Sequence, residues 1–209
     1  MTPLPPRLPD PGRADVTTVT VGSLFTGTAE GQRAALDALR AGVRDAEWPK
    51  GLLELSVLAS DDGEALLSYG QWSGPAAARV WPGGGGWAEL AVPYRIHRGA
   101  PAGPDAPSPG CVVTAAFDVD GPERQRHITD ALLDAAEGVE PRPGAVSSHF
   151  HHSLDGTRVL NWAEWTSPEA HAEAVAGAAL DDLYEIITGT PGVRALRGRY
   201  YLPADTFIG

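Results

Sequence analysis

Shifted by 93 positions, the sequence falls on itself without a gap. Between Val19 and Ala77 the shift superposes Gln32-Arg33 on Gln125-Arg126, Asp37-Ala38-Leu39 on Asp130-Ala131-Leu132 and Gly51 on Gly144. It also brings Asp62-Gly63 onto Asp155-Gly156, Trp72 onto Trp165 and Pro75 onto Pro168. Identities fall at 16 of 59 positions. A background of roughly one in fourteen would give about four. This period is too long for a solenoid unit and fits a duplicated small domain. The chain is therefore expected to fold twice into the same unit.

The element order of that unit is readable. Val16 to Phe25 and Cys111 to Val119 are β-branched or apolar runs ended by turn residues, and each reads as a first strand. A helix follows: Ile128, Ala131, Leu132 and Ala135 fall at i, i+3, i+4 and i+7. Second strands start at Gly51 and Gly144, and the Asp-Gly pairs at 62 to 63 and 155 to 156 turn each into a third. Ser167-Pro168 reads as an N-cap and N1 pair, opening a second helical region continued by Leu180, Leu183, Tyr184 and Ile187. Val193 to Leu202 is the last strand. In the first repeat the second helix is cut short by Pro82 and Gly83 to Gly86, before a final strand near Val92 to Arg98. The order is βαββαβ twice, an α+β chain of two tandem ferredoxin-like units. Expected boundaries are a disordered tail at 1–15, a first domain at 16–98, a Pro/Gly linker at 99–110 and a second domain at 111–209.

Composition narrows the function. A net charge of −11 with a single lysine, Lys50, opposes binding to phosphate backbones, so nucleic acid is not an expected partner. The single cysteine, Cys111, excludes an intramolecular disulfide and a thiolate metal cluster. No apolar run is long enough to span a membrane, and prolines occupy the place of a signal-peptide core, so the expected location is cytoplasmic. The four glycines at 83 to 86 lack the Gly-Lys-Ser/Thr ending of a phosphate loop. Nucleophilic serine motifs are also missing, and neither cofactor nor metal is expected.

Candidate site residues cluster in the second repeat. Asn161, the only asparagine, lies in mid-strand, where its amide competes with backbone hydrogen bonding. Alternation places Val159, Asn161, Ala163 and Trp165 on one face, with Ala163 leaving a hollow. The first repeat has Leu66, Ser68, Gly70 and Trp72 there and has lost the amide. Asn161 either bonds a ligand or satisfies a buried backbone group. His149 and His151 alternate to one face of the second strand, expected beside Asn161, while Phe150 and His152 take the other. These histidines have three readings: a metal pair completed by His171 or a carboxylate, a general base, or structural groups.

The third strand, Asn161-Trp162-Ala163-Glu164-Trp165, within a βαββαβ unit resembles the antibiotic biosynthesis monooxygenase domains of the dimeric α+β barrel superfamily. Both repeats fit, so the resemblance covers most of the chain after residue 15. It implies that the two units pair through their sheets as an intramolecular dimeric α+β barrel, a fused pseudo-dimer with room for further homo-oligomerisation. It further implies a cofactor-free oxygenase turning an aromatic polyketide-type phenol or anthrone into a quinone with O2. In that family the Asn and Trp of the motif line the pocket, and they map on Asn161 and Trp165. A second-strand histidine maps on His151. A tyrosine six residues beyond the Trp falls on His171, a departure from the pattern. The expected catalytic set is Asn161, His151, His171 and Trp165, and the expected substrate-lining set is His149, Ala163, Tyr184 and Trp72. The partner implied is a small aromatic substrate. Competing classes are a redox-neutral cyclase or isomerase using the same enolate, a haem-degrading enzyme, for which no axial histidine stands out, and a non-catalytic small-molecule binder.

Overall fold

The computed structural model describes residues 2–74, 91–140, 142–176 and 181–209. The expected second helix of the first repeat, with Pro82 and Gly83 to Gly86, lies outside the described residues, as does Leu180. The described chain forms two compact units. Unit 1 comprises Met1–Arg95 with Tyr201–Gly209, and unit 2 comprises Ile96–Tyr200.

Unit 1 is built on β2 (Thr18–Phe25), α1 (Ala29–Asp45), β3 (Leu52–Ser60) and β4 (Ala65–Trp72). Its sheet is antiparallel. The start of β5 (Val92–Ala100) pairs with β2, β2 with β4 and β4 with β3. That is the strand order of a ferredoxin-like fold. Beyond β3 the sheet continues through β10 (Arg199–Ile208) to β1 (Thr2–Leu4). Leu39 and Val43 of α1 pack on Leu55, Val57, Leu66, Trp72 and Phe207 to form the core.

Unit 2 repeats the plan with β6 (Cys111–Val119), α2 (Pro122–Ala136), β7 (Ala145–Ser153), β8 (Arg158–Trp165), α3 (Pro168–Ala176), α4 (Asp181–Gly189) and β9 (Val193–Ala195). Strand β9 pairs with β6, β6 with β8, β8 with β7, and the end of β5 flanks β7. Ile128 and Leu132 of α2 pack on Phe117, Val119, Phe150 and Val159, closed over by Leu183, Ile186 and Ile187 of α4.

The same hydrogen bonds fix the β-hairpin in both units. Gln32 Nε2 donates to the carbonyls of Ser60 and Ala65 at 3.0 and 2.8 Å, and Gln125 Nε2 to those of Ser153 and Arg158 at 3.1 and 2.8 Å. Inside each turn a serine hydroxyl, Ser60 or Ser153, donates to the Asp two residues on. Gly63 and Gly156 take the positive φ, +75° and +80°, that the turn requires. The repeat-matched Gln, Ser, Asp and Gly thus form one structural device, present twice.

Three expectations are corrected. Residues 2–15 are not a disordered tail: β1 pairs with β10, Arg7 and Arg13 form ion pairs with the buried Glu54, and Gln71 Nε2 donates to Asp10 O. An ionised carboxylate in that position needs these cations, so the arm is held. Residues 99 and 100 are not linker but the end of β5. A side chain at Gly99 would collide with the Ser148 carbonyl, so this glycine serves close strand approach. The last strand is interrupted: β9 stops at Ala195 and β10 resumes at Arg199, running on to Ile208. From Tyr201 onward that strand belongs to unit 1, so the compact units cut across the ends of the repeats.

Truncating the buried Gln125 to Ala should lower stability by about 2 kcal/mol, because the hydrogen bonds of its amide to the Ser153 and Arg158 carbonyls are lost. Gln32 is half-buried, so Gln32→Ala should cost less. Denaturant unfolding of the two variants measures the difference.

Candidate active site

Cross-strand partners in a sheet share a face, so register places each side chain. Strand β7 meets β8 with Phe150 opposite Asn161, His149 opposite Trp162, and His151 opposite Leu160. Phe150 and Val159 belong to the helix-covered core, so Asn161 and Ala163 face the helices with Ser148 and His152. His149 and His151 therefore lie on the opposite face of the sheet. The expectation that they sit beside Asn161 is corrected.

His151 is fully buried, and its Nδ1 lies 3.0 Å from His149 O. Burial pushes its pKa down to about 4, so it is neutral at neutral pH. From that face it has no access to a proton held at Asn161. His152, the histidine that does share Asn161's face, lies 2.8 Å from Thr129 Oγ1 through Nε2 and stacks on His97 at 4.1 Å between centroids. Burial, then the neighbouring His97, also brings it to about 4. Among the described residues no group of three or more His, Cys, Asp or Glu could hold a metal ion.

The helix-side face of unit 2 carries a half-exposed strip of Val113, Ala115, Ser148, Asn161 and Ala163, bounded by Trp165 at one end and the Phe117, Phe150 and Val159 core at the other. A sheet face under helices is normally buried, so a strip left partly uncovered, here called the hollow, is a candidate binding surface. Ser148 Oγ donates to Asn161 Oδ1 at 2.8 Å. That bond turns the amide so that Nδ2, a donor, has no hydrogen-bond partner among the described residues.

On the same face of unit 1 the tryptophan lies differently. The matching positions Thr20, Gly22, Leu55, Ser68 and Gly70 are all buried. Trp72 Nε1 donates to Thr20 Oγ1 at 2.9 Å, and a Cβ at residue 70 would lie 3.0 Å from that nitrogen and 2.6 Å from Thr20 Oγ1. The indole thus lies over Gly70, tied to Thr20. In unit 2 Ala163 replaces that glycine and Val113 replaces the threonine, removing both the space and the acceptor. Trp165 instead meets the His171 ring edge-on, at 4.8 Å and 85°. Trp72 is therefore core, and its expected place in a substrate pocket is corrected.

His171 lies on α3, which Ser167 opens by accepting the Ala170 N–H at 3.2 Å. The imidazole Nδ1 lies 3.0 Å from the Tyr200 hydroxyl. Burial, and after it Arg142, holds the His171 pKa below the ordinary 6.5. Tyr200 was not singled out in the sequence, because it comes from a segment 29 residues away that the interrupted strand brings back to α3. Tyr184 is corrected in the other direction. Leu183, Ile186 and Ile187 form the half-buried, core-facing stripe of α4, and Tyr184 stands 69% exposed. The structure therefore brings together Trp165, His171 and Tyr200 at one end of the strip and Asn161, Ser148 and Ala163 along it.

No protein-family model matches the chain. A stretch of 63 residues, 30% of the chain, is 38% identical to tetracenomycin F1 monooxygenase of Streptomyces glaucescens, and the chain spans about half of that protein, 56%. Over 92% of its length the chain is similar to the crystal structure of an anthrone oxidase-like protein, with a TM-score of 0.70 and 17% identity, covering 93% of that chain. A ferredoxin-fold protein of Listeria monocytogenes, related to antibiotic biosynthesis monooxygenases, gives a TM-score of 0.51 at 13% identity over 90% of this chain and 96% of that one. None of the described helices is long and apolar enough to cross a membrane. The fold is α+β and ferredoxin-like, of the kind seen in proteins related to antibiotic biosynthesis monooxygenases.

Proposed function

We propose that this chain is a monooxygenase that oxidises an aromatic polyketide-type phenol or anthrone with O2 and without a resident cofactor, in the hollow of unit 2. The observation that carries the reading is the Asn161 amide, fixed by Ser148 with its N–H donors unpaired on a half-exposed strip of sheet. The similarity to tetracenomycin F1 monooxygenase supports the reaction class. The matching hydrogen bonds of the two hairpins support an origin by tandem duplication, with unit 1 kept as a filled partner.

The mechanism follows from what the residues offer. The carbonyl or phenol oxygen of the substrate accepts from Asn161 Nδ2, which stabilises negative charge as it develops. His171, neutral because burial and Arg142 hold its pKa down, takes the acidic proton at Nε2. Trp165 packs on the aromatic rings, and Ala163 leaves room for them. The resulting carbanion passes an electron to O2, and the radical pair recombines as a peroxide that loses water. Converting CH2 to C=O removes four electrons, and reducing one O2 to a carbonyl oxygen and one water consumes four. The reaction therefore closes without an external reductant.

Oxygen-electrode assays with an anthrone and with a simple phenol should show one O2 consumed per quinone formed, without hydrogen peroxide. Substrate turnover without O2 uptake would point instead to a redox-neutral cyclase. Asn161→Ala should lower turnover by roughly 10² to 10³, the usual loss for one oxyanion donor. Ser68→Ala, in the filled unit, should leave it unchanged.

A second expectation tests the origin of the hollow. Combining Val113→Thr with Ala163→Gly recreates in unit 2 the groups that hold Trp72. The Trp165 indole should swing over residue 163, so that aromatic ligand binding is lost while thermal stability is kept or raised. Tryptophan fluorescence and ligand titration read the two effects separately.

A further inference from the structure

The imidazole of His171 is held from two sides. Trp165 meets it edge-on at 4.8 Å, and the Tyr200 ring lies at 5.4 Å and 75°, with the Tyr200 hydroxyl 3.0 Å from Nδ1. Among the described residues its Nε2 has no hydrogen-bond partner. A phenol hydroxyl both donates and accepts, whereas a neutral imidazole carries one hydrogen on one of its two nitrogens. Once Nε2 takes up a proton, both nitrogens carry hydrogen, and Nδ1–H has to donate to the Tyr200 oxygen. A tyrosine that already accepts in the neutral state needs no reorientation when the proton arrives. We propose that Tyr200 is the positioning residue of His171: its oxygen accepts the Nδ1–H and so leaves the lone pair at Nε2 as the proton acceptor. The role rests on the reading of His171 as the base.

Three elements meet at the ring. Strand β8 supplies Trp165 and β10 supplies Tyr200, α3 carries the ring itself, and Arg142, whose Nη1 donates to Ala174 O of α3 at 3.0 Å, acts on the ring through its charge. Arg142 is the charged group among them. The base must be neutral to act, so kcat/KM falls as pH drops through its pKa, and that limb lies below the ordinary histidine range. A hydrogen bond that favours the protonated ring raises its pKa, so removing the hydroxyl should move the limb further down, by about one pH unit.

The experiment is nitrogen-15 NMR of imidazole-labelled protein at pH 8, with the His171 signals identified by their loss in His171→Gln. Wild type should carry the neutral-ring proton on Nδ1. In Tyr200→Phe that proton should move to Nε2, and the acidic limb of kcat/KM should shift down with KM unchanged. A wild-type ring protonated at Nε2 overturns the proposal, as does a Tyr200→Phe protein with the same tautomer and the same limb. The tautomer is read without substrate, so the proposal stands or falls even where no O2 is consumed. Wild type alone decides it if the variant fails to fold.

Discussion

The register of β7 on β8 decides what this molecule can do. With Phe150 opposite Asn161, every second side chain of β7 is committed to one face. Ser148 lands where it can fix the amide, and His149 and His151 land where they cannot reach it. A slip of one residue would exchange these sets. The Gln125 clamp on the turn and the bulge between Ala145 and Ser147 hold that register. The hydrogen bonds of one hairpin are therefore the foundation of the candidate site.

Two of the differences on this face bear on where the tryptophan of each unit lies. Glycine at 70 and threonine at 20 give the unit 1 indole both a seat and an acceptor, and alanine at 163 and valine at 113 withdraw both. A methyl group above the sheet and a missing hydroxyl are minor changes to stability on their own. They act here because interiors are close-packed, and a side chain as large as tryptophan has few alternative places to go. Its other place, against His171, brings an indole and an imidazole together at one end of the strip.

Much of the fold was legible in the sequence because it depends on local patterns. Strands β6 and α2, the two hairpins and the start of α3 follow from alternation, helical spacing and turn chemistry, and the 93-residue shift maps β3 onto β7 and β4 onto β8 residue for residue. Asn161 stood out because its residue type is wrong for a strand interior. Other features depend on partners distant in the chain. Alternation gives which of His149 to His152 share a face, but only the bulge and the pairing say which face that is. The arm at 2–15 reads as disordered from composition, and what orders it is the buried Glu54. Tyr200 carries no local signal at all, since its meaning comes from His171.

Gly99 braces the candidate site from within its own unit. It lies at the end of β5, against the backbone of Ser148 within unit 2, so closely that any side chain would strike the Ser148 carbonyl. Ser148 in turn holds the Asn161 amide. Backbone packed at that distance transmits small displacements, and an oxyanion donor tolerates little misplacement before its contribution falls. The end of β5 therefore braces the strand that carries Ser148, and through Ser148 the Asn161 amide.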